Sequence, residues 1–236
     1  MNLALQAPNT LLHDGHAWRP TAAAHILSST RRMLGEAERT RCGFVVHASY
    51  AFLDNAERGG HVDDRLGDIV AAAQEAERLV LESGRRACVV RLGYLYGPEW
   101  TDLRGYQRAF RLGRPYWAGP RANLQHHLHG SDAACALLLA AAARPSVALT
   151  YATDDEPASF ADLMDHFARL VGRARPLHLP RFSGPFVGLV VRDLHRQMVD
   201  LAAAGAVMPR LAGFAPRYRD YRAGLAQVVE AWQHSR

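Results

Sequence analysis

Apolar positions follow two rhythms along the chain. From Thr21 to Glu38, Ile26, Leu27, Met33 and Leu34 recur at helical spacing behind a threonine placed to cap, which predicts a helix over 21–38. Gly43 to Ser49 is a short run of β-branched and aromatic residues and predicts a buried strand. The polar, glycine-bearing stretch 55–67 predicts a loop. Asp68 then caps a second helix over 68–82, carrying Ile69, Ala72, Ala73, Ala76, Leu79 and Val80, with Gly84 as its stop. Ala87–Leu92 predicts a second strand and Val147–Tyr151 a third. Continuous apolar strands separated by helices imply a parallel sheet covered on both faces, an α/β chain.

The second half has a different texture. Pro98 to Asn123 is rich in Arg, Tyr, Trp, Gly and Pro and predicts an excursion away from the sheet. Ser131-Asp132 is positioned to cap an Ala/Leu-rich helix. Ser159 and Asp162 form a variant of the capping box, opening a helix through Leu163, Phe167, Leu170 and Val171 that stops at Gly172. Phe182–Val191 is apolar with glycines, Asp193–Ala204 predicts a helix, and Tyr218–Trp232 predicts a final amphipathic helix.

Composition narrows the function classes. The chain has 236 residues and 49% hydrophobic and 22% charged side chains, an ordinary folded balance. Cys42, Cys88 and Cys135 are far apart, with no metal or disulfide spacing, so a cytoplasmic location is expected. The N-terminus lacks the basic region of a signal peptide, and the apolar run 133–143 is too short to cross a bilayer, so no membrane partner is expected. The 28 basic side chains are all arginine. Without lysine the chain supports no Schiff base, no phosphate-loop lysine and no lysine-assisted tyrosine. The net charge is +5, but the arginines are scattered, so no nucleic-acid partner is expected. His126, His127 and His129, and His13 with His16, are spaced closely enough for zinc. No H-E-x-x-H or cysteine pair accompanies them, and no metal is expected.

Several segments, in order, resemble one family. Phe44-Val45-Val46-His47-Ala48-Ser49 is an apolar strand ending in serine. Arg91-Leu92-Gly93-Tyr94-Leu95-Tyr96-Gly97-Pro98 is similar to an Arg-Pro-x-x-x-Tyr-Gly-Pro stretch. His127 to Ala134 resembles an Ile-His-Val-x-Asp-x-Ala helix start. Tyr151–Gly172 and Leu211–Pro216 follow in the same sequence of motifs. Together they resemble the extended short-chain dehydrogenase/reductases, the NAD-dependent epimerase/dehydratase family. The resemblance implies an incomplete Rossmann-like parallel sheet with helices on both faces, plus a small, mainly helical C-terminal lobe. It divides the chain at 1–154 and 155–236, with 99–125 reaching towards the second part. It places the family's first three strands, with the glycine-rich turn that holds the dinucleotide pyrophosphate, outside this sequence, and no Gly-x-Gly-x-x-Gly occurs here. No cofactor is therefore expected on this chain alone; NAD or NADP is expected if its start is mis-assigned.

The resemblance also implies site residues. Ser49 occupies the position of the family's catalytic serine. The Tyr-x-x-x-Lys pair does not: anchored on Glu77 its positions hold Ile69 and Ala73, and anchored on Glu75 they hold Gly67 and Ala71. Gln125 stands where nucleotide-sugar members often carry an arginine for the substrate diphosphate, with Arg121 close by. His47 is expected on the strand face opposite Ser49, and no Gly-x-Ser-x-Gly elbow surrounds that serine. Tyr94 and Tyr96 flank a strand end where ligands meet such sheets, and either serves equally as a packing residue. Ser49 and Tyr94 are thus the candidate catalytic groups, and Arg91, Tyr96, Arg121 and His129 the candidate substrate contacts. The arginine-rich excursion suits an anionic small molecule or a solvated surface. Asp154-Asp155-Glu156 is expected to be a solvated turn. Helices 21–38 and 68–82 match the pair that forms a dimer contact in the family, so a homodimer is expected. Three functions follow in order: a ligand-binding, regulatory or structural homologue without redox chemistry; an NAD(P)-dependent sugar-nucleotide epimerase, dehydratase or reductase; or a non-redox lyase or isomerase using Ser49, Tyr94 and His129.

Overall fold

A computed structural model describes residues 15–58, 64–113, 116, 121–173, 176, 178 and 209–234. The chain runs α1 (Gly15–Arg39), β1 (Val45–Tyr50), α2 (Leu53–Glu57), α3 (Asp64–Leu81), β2 (Ala87–Leu92) and β3 (Tyr94–Tyr96). It continues through α4 (Thr101–Arg111), β4 (Leu124–Gln125), β5 (His127–His129), α5 (Gly130–Ala143), β6 (Leu149–Ala152), β7 (Ala158–Ser159), α6 (Phe160–Leu170) and α7 (Tyr221–His234).

The β-branched runs make the central sheet. Strands β1, β2 and β6 are parallel in the order β1-β2-β6, with Ser49 opposite Arg91 and Arg91 opposite Tyr151. Alternation sends Val45 and Val89 to one face, against Ala37 of α1 and Val80 of α3. Cys88, Val90 and Leu92 go to the other, against Ala133, Ala136, Leu137 and Ala140 of α5. Helices therefore cover both faces, as the continuous apolar strands predict. Two short pairs extend the sheet's carboxyl end: β3 runs parallel to β5, and β4 antiparallel to β7. Behind them an aromatic core joins Tyr96, Tyr106 and Phe110 to Phe160 and Phe167 of α6 and Leu225 and Trp232 of α7. Rings of this size carry most of the burial energy of so small a core.

Several boundaries differ from the sequence reading, each for a tertiary reason. The expected loop 55–67 contains α2 and the first turn of α3, because Asp54 and Glu57 are drawn in by Arg91. The excursion 98–123 carries α4, anchored where the Trp232 indole donates to the Pro98 carbonyl (2.8 Å) and Arg104 lies 4.3 Å over the Trp232 ring. Helix α5 is capped by His129 rather than by Ser131-Asp132: the imidazole Nδ1 accepts the Ser131 N–H (3.2 Å). Asp132 instead accepts the backbone N–H groups of Arg217 and Tyr218, both at 3.0 Å. Helix α6 opens as read, with Ser159 Oγ accepting the Asp162 N–H (3.1 Å) and donating to the Asp162 carboxylate (2.6 Å). The apolar stretch 182–191 and the helix expected at 193–204 lie outside the described residues, as do His13, Arg114 and Trp117. Among the described residues no helix is long and apolar enough to cross a membrane.

Candidate active site

The carboxyl ends of β1, β2 and β6 meet at one edge, where open α/β sheets take their ligands. Gly93 makes the edge. Its N–H donates to the Ala152 carbonyl (3.0 Å), the next residue, Tyr94, donates to the His126 carbonyl (2.8 Å), and Asp154 donates to the His127 carbonyl (2.8 Å). A Cβ on Gly93 would fall 2.9 Å from the His127 oxygen, so three backbones approach here as closely as a missing side chain permits.

Ser49 closes β1 at this edge. It is buried, and its hydroxyl has no hydrogen-bond partner. His47 lies on the same face as Ser49, not the opposite one, because residues two apart on a strand share a face; Val45, His47 and Ser49 are all buried. Burial pushes His47 down to about 4, so the imidazole is neutral, and its Nδ1 is also unpartnered. Tyr94 stands across the edge, half-buried, its ring 6.0 Å from that of His127 and 6.3 Å from that of Phe160.

The four expected substrate contacts are held by the protein itself. Arg91 is 2% exposed and caged by carboxylates: Nε donates to Glu77 (2.9 Å), Nη2 to Glu77 (2.7 Å) and Glu57, and Nη1 to Asp54 and Glu57 (2.9 Å each). Burial alone would lower its pKa, but the hydrogen bonds to Glu77 and Glu57 hold it above the ordinary value. Arg91 therefore locks β2 to α2 and α3. Tyr96 is buried in the aromatic core, its hydroxyl against Gly224 of α7, where a Cβ would sit 1.9 Å away. Arg121 is exposed and paired with Asp162 and Asp165 of α6. His129 is the cap of α5, and its Nε2 meets Gln227 of α7 at 3.0 Å. Both of its ring nitrogens are thus engaged within the chain.

The two glutamates that could anchor the acid–base positions on α3 turn to opposite sides. The Glu77 side chain reaches inward to Arg91, whereas Glu75 turns outward to Arg78 (2.7 Å). Ile69 and Ala73, the pair that Glu77 implies, are buried with Ile26 of α1 and Leu53 of α2.

Three residues beside the edge carry more than their sequence suggests. Asp154 is not in a solvated turn but 1% exposed, while Asp155 and Glu156 are exposed. Its Oδ1 accepts the His127 N–H (3.1 Å) and lies 3.4 Å from His126 Nδ1, and burial pushes it up to about 6. His127 is wholly buried and held neutral, pushed by burial down to about 3. Gln125 is 2% exposed. The three closely spaced histidine rings serve different partners: His126 faces Asp154, His127 packs on Tyr94 and Tyr221, and His129 caps α5. Among the described residues no group of three or more metal-type side chains converges.

No family profile matches the chain. Solved structures match through most of its length. The human epimerase family protein SDR39U1, solved with NADPH, superposes at a TM-score of 0.66 with 21% identity, covering 91% of this chain and 75% of that one. The UDP-glucose 4-epimerase of Thermotoga maritima gives 0.65 with 14% identity, over 99% of this chain and 76% of its own. The dTDP-glucose 4,6-dehydratase of Bacillus anthracis, solved with NAD, gives 0.61 with 11% identity, over 94% and 70%. The fold is that of the NAD-dependent epimerase/dehydratase family. A curated relative, the 3-diazoavenalumate denitrifying reductase of a Streptomyces species, is 32% identical over 161 residues. That match takes in 67% of this chain, which spans about half (52%) of the relative's length. The epimerase/dehydratase fold implies a dinucleotide; among the described residues the turns after β1, β2 and β6 carry no glycine-rich cradle opening a helix.

Proposed function

We propose that this chain recognises the substrate of a reductase reaction that needs no tyrosine–lysine acid–base pair. The observation that carries the reading is the apolar, buried pair Ile69 and Ala73 on α3. A tyrosine–lysine pair moves a proton on or off a substrate oxygen, as carbonyl reduction and sugar epimerisation require. Reductive loss of nitrogen from an aryl diazonium cation has no such requirement in the bond-breaking step: a hydride equivalent forms the C–H bond and the C–N pair departs with dinitrogen, any phenolate left being protonated afterwards by water. The relative named for that reaction type is the 32% match. A sugar-nucleotide epimerase fits less well, because Arg91 and Arg121 are both engaged by carboxylates.

The test incubates the purified chain with a hydroxyaryl diazonium acid and NADPH or NADH. It follows absorbance at 340 nm and dinitrogen release. Equimolar oxidation and nitrogen release, above the rate without protein, supports the reading. Tight binding of the aryl acid without any nicotinamide oxidation overturns it in favour of a ligand-binding homologue.

A homodimer through the outer faces of α1 and α3 belongs to the same proposal, since Ala24 and Ala71 are exposed there and allow close packing. Light scattering at micromolar concentration is expected to give twice the 26.0 kDa chain mass, and A71R to halve it. A monomer in the unaltered protein rules the contact out.

A further inference from the structure

Gln125, His127 and Asp154 leave five buried side-chain atoms with no hydrogen-bond partner: Gln125 Nε2 and Oε1, His127 Nδ1 and Nε2, and Asp154 Oδ2. The three residues are 2%, 0% and 1% exposed. Gln125 and His127 are two apart on an extended segment and so share a face. Asp154 is tied to that segment by the His127 N–H. Buried amides and imidazoles in folded proteins are nearly always paired, and a leucine and a phenylalanine would fill this volume without the penalty. Retaining the polar pair makes sense when something supplied from outside completes it.

We propose that Gln125 and His127 form the floor of the ligand site, reading an uncharged group that both donates and accepts hydrogen bonds, such as a phenol or a carboxamide. It deepens the reductase reading by naming the chemistry of the substrate's recognised end. A primary amide offers donors and an acceptor, and a neutral imidazole offers one of each. The complementary group must therefore present both. A phosphate does not suit the floor, because among the described residues no free cation faces it. His127 is neutral, and His126 lies against Asp154. Arg210 is engaged by Asp155 (2.5 Å) and by the Thr153 and Asp154 carbonyls (2.7 and 2.6 Å), and Arg121 by Asp162 and Asp165. The Asp154 carboxylate beside the floor would repel an anion. The rings of Tyr94 and Tyr221 flank His127, each 6.0 Å from it, and give the floor aromatic walls.

The test compares the unaltered chain with Gln125→Leu and His127→Phe by two readouts that involve neither a dinucleotide nor turnover, so failure of the reductase reading leaves them intact. Without ligand, each substitution removes unpaired groups and is expected to raise the thermal midpoint by about 2–4 °C. By calorimetry, 4-hydroxycinnamamide is expected to bind the unaltered chain and to lose at least about tenfold in affinity in each variant, the loss of one good hydrogen bond in a desolvated site. UDP-glucose is expected not to bind. A lowered midpoint in both variants would mean that ordered water completes the network and that the pair is structural. That result, amide binding that is absent or indifferent to the substitutions, or UDP-glucose binding lost on substitution, overturns the proposal.

Discussion

Removing the Arg91 guanidinium would leave Asp54, Glu57 and Glu77 facing one another around a space that is closed to water on most sides. Arg91→Ala is expected to lower unfolding free energy by about 3–5 kcal/mol, the usual cost of breaking a buried ion pair from one side. Arg91→Lys should recover little of it, since an ammonium cannot present a planar fork to several carboxylates; urea denaturation measures both. Titration is also decided residue by residue. The unfolded chain protonates His47 near 6.5, whereas the folded one waits until about 4. Stability from this group is therefore present above 6.5 and lost as pH falls towards 4. Asp154 works in the opposite sense: its folded value of about 6 lies above the unfolded 3.8, so its contribution grows as pH falls through that window. Urea midpoints between pH 4.5 and 7.5 are expected to fall less steeply in acid for His47→Leu than for the unaltered chain, and more steeply for Asp154→Asn. At this scale the sequence was only partly legible. Glu77 was legible as the inward-facing acid of α3, because an acidic residue on a helix's buried face needs a cation. Gln125 stood out only by comparison with an arginine, and Asp154 was hidden among acidic neighbours, since burial of one carboxylate in three depends on a strand pairing far away in the chain.

Strands proved easier to read than caps. The apolar run at 87–92 became β2 with the same bounds, because a run buried on both faces has no other solution. Short α2 left no periodicity to find: its five residues are held by an arginine that follows them by more than thirty positions. At α5 a serine and an aspartate competed for the cap and a histidine took it, freeing Asp132 to hold the chain before α7. Ser159 and Asp132 therefore predict different losses. Ser159→Ala should cost about 1 kcal/mol, an ordinary cap. Asp132→Ala should cost more, about 2–3 kcal/mol, because it strands two backbone donors as well. It should also expose the segment near Arg217 to proteolysis, which limited digestion followed by mass spectrometry would locate.

Across the whole molecule, sheet and aromatic lobe are joined at Gly93, where β2 passes directly into β3. Gly93→Ala is expected to cost about 1–3 kcal/mol through overpacking against the His127 carbonyl, and to disturb ligand affinity together with stability. Calorimetry on the folded fraction separates the two. The layered α/β plan was visible in the rhythm of the sequence. The joint was not, because a lone glycine after a strand looks the same whether it turns the chain or lets another backbone pass. Its position restricts how the molecule can move. With Tyr94 and Asp154 both bonded to the 126–127 backbone on either side of Gly93, the edge has no slack for a hinge. For the described elements the movement left open over a ligand is a sideways sliding of α6 and α7 on their aromatic bed, a shear of small amplitude.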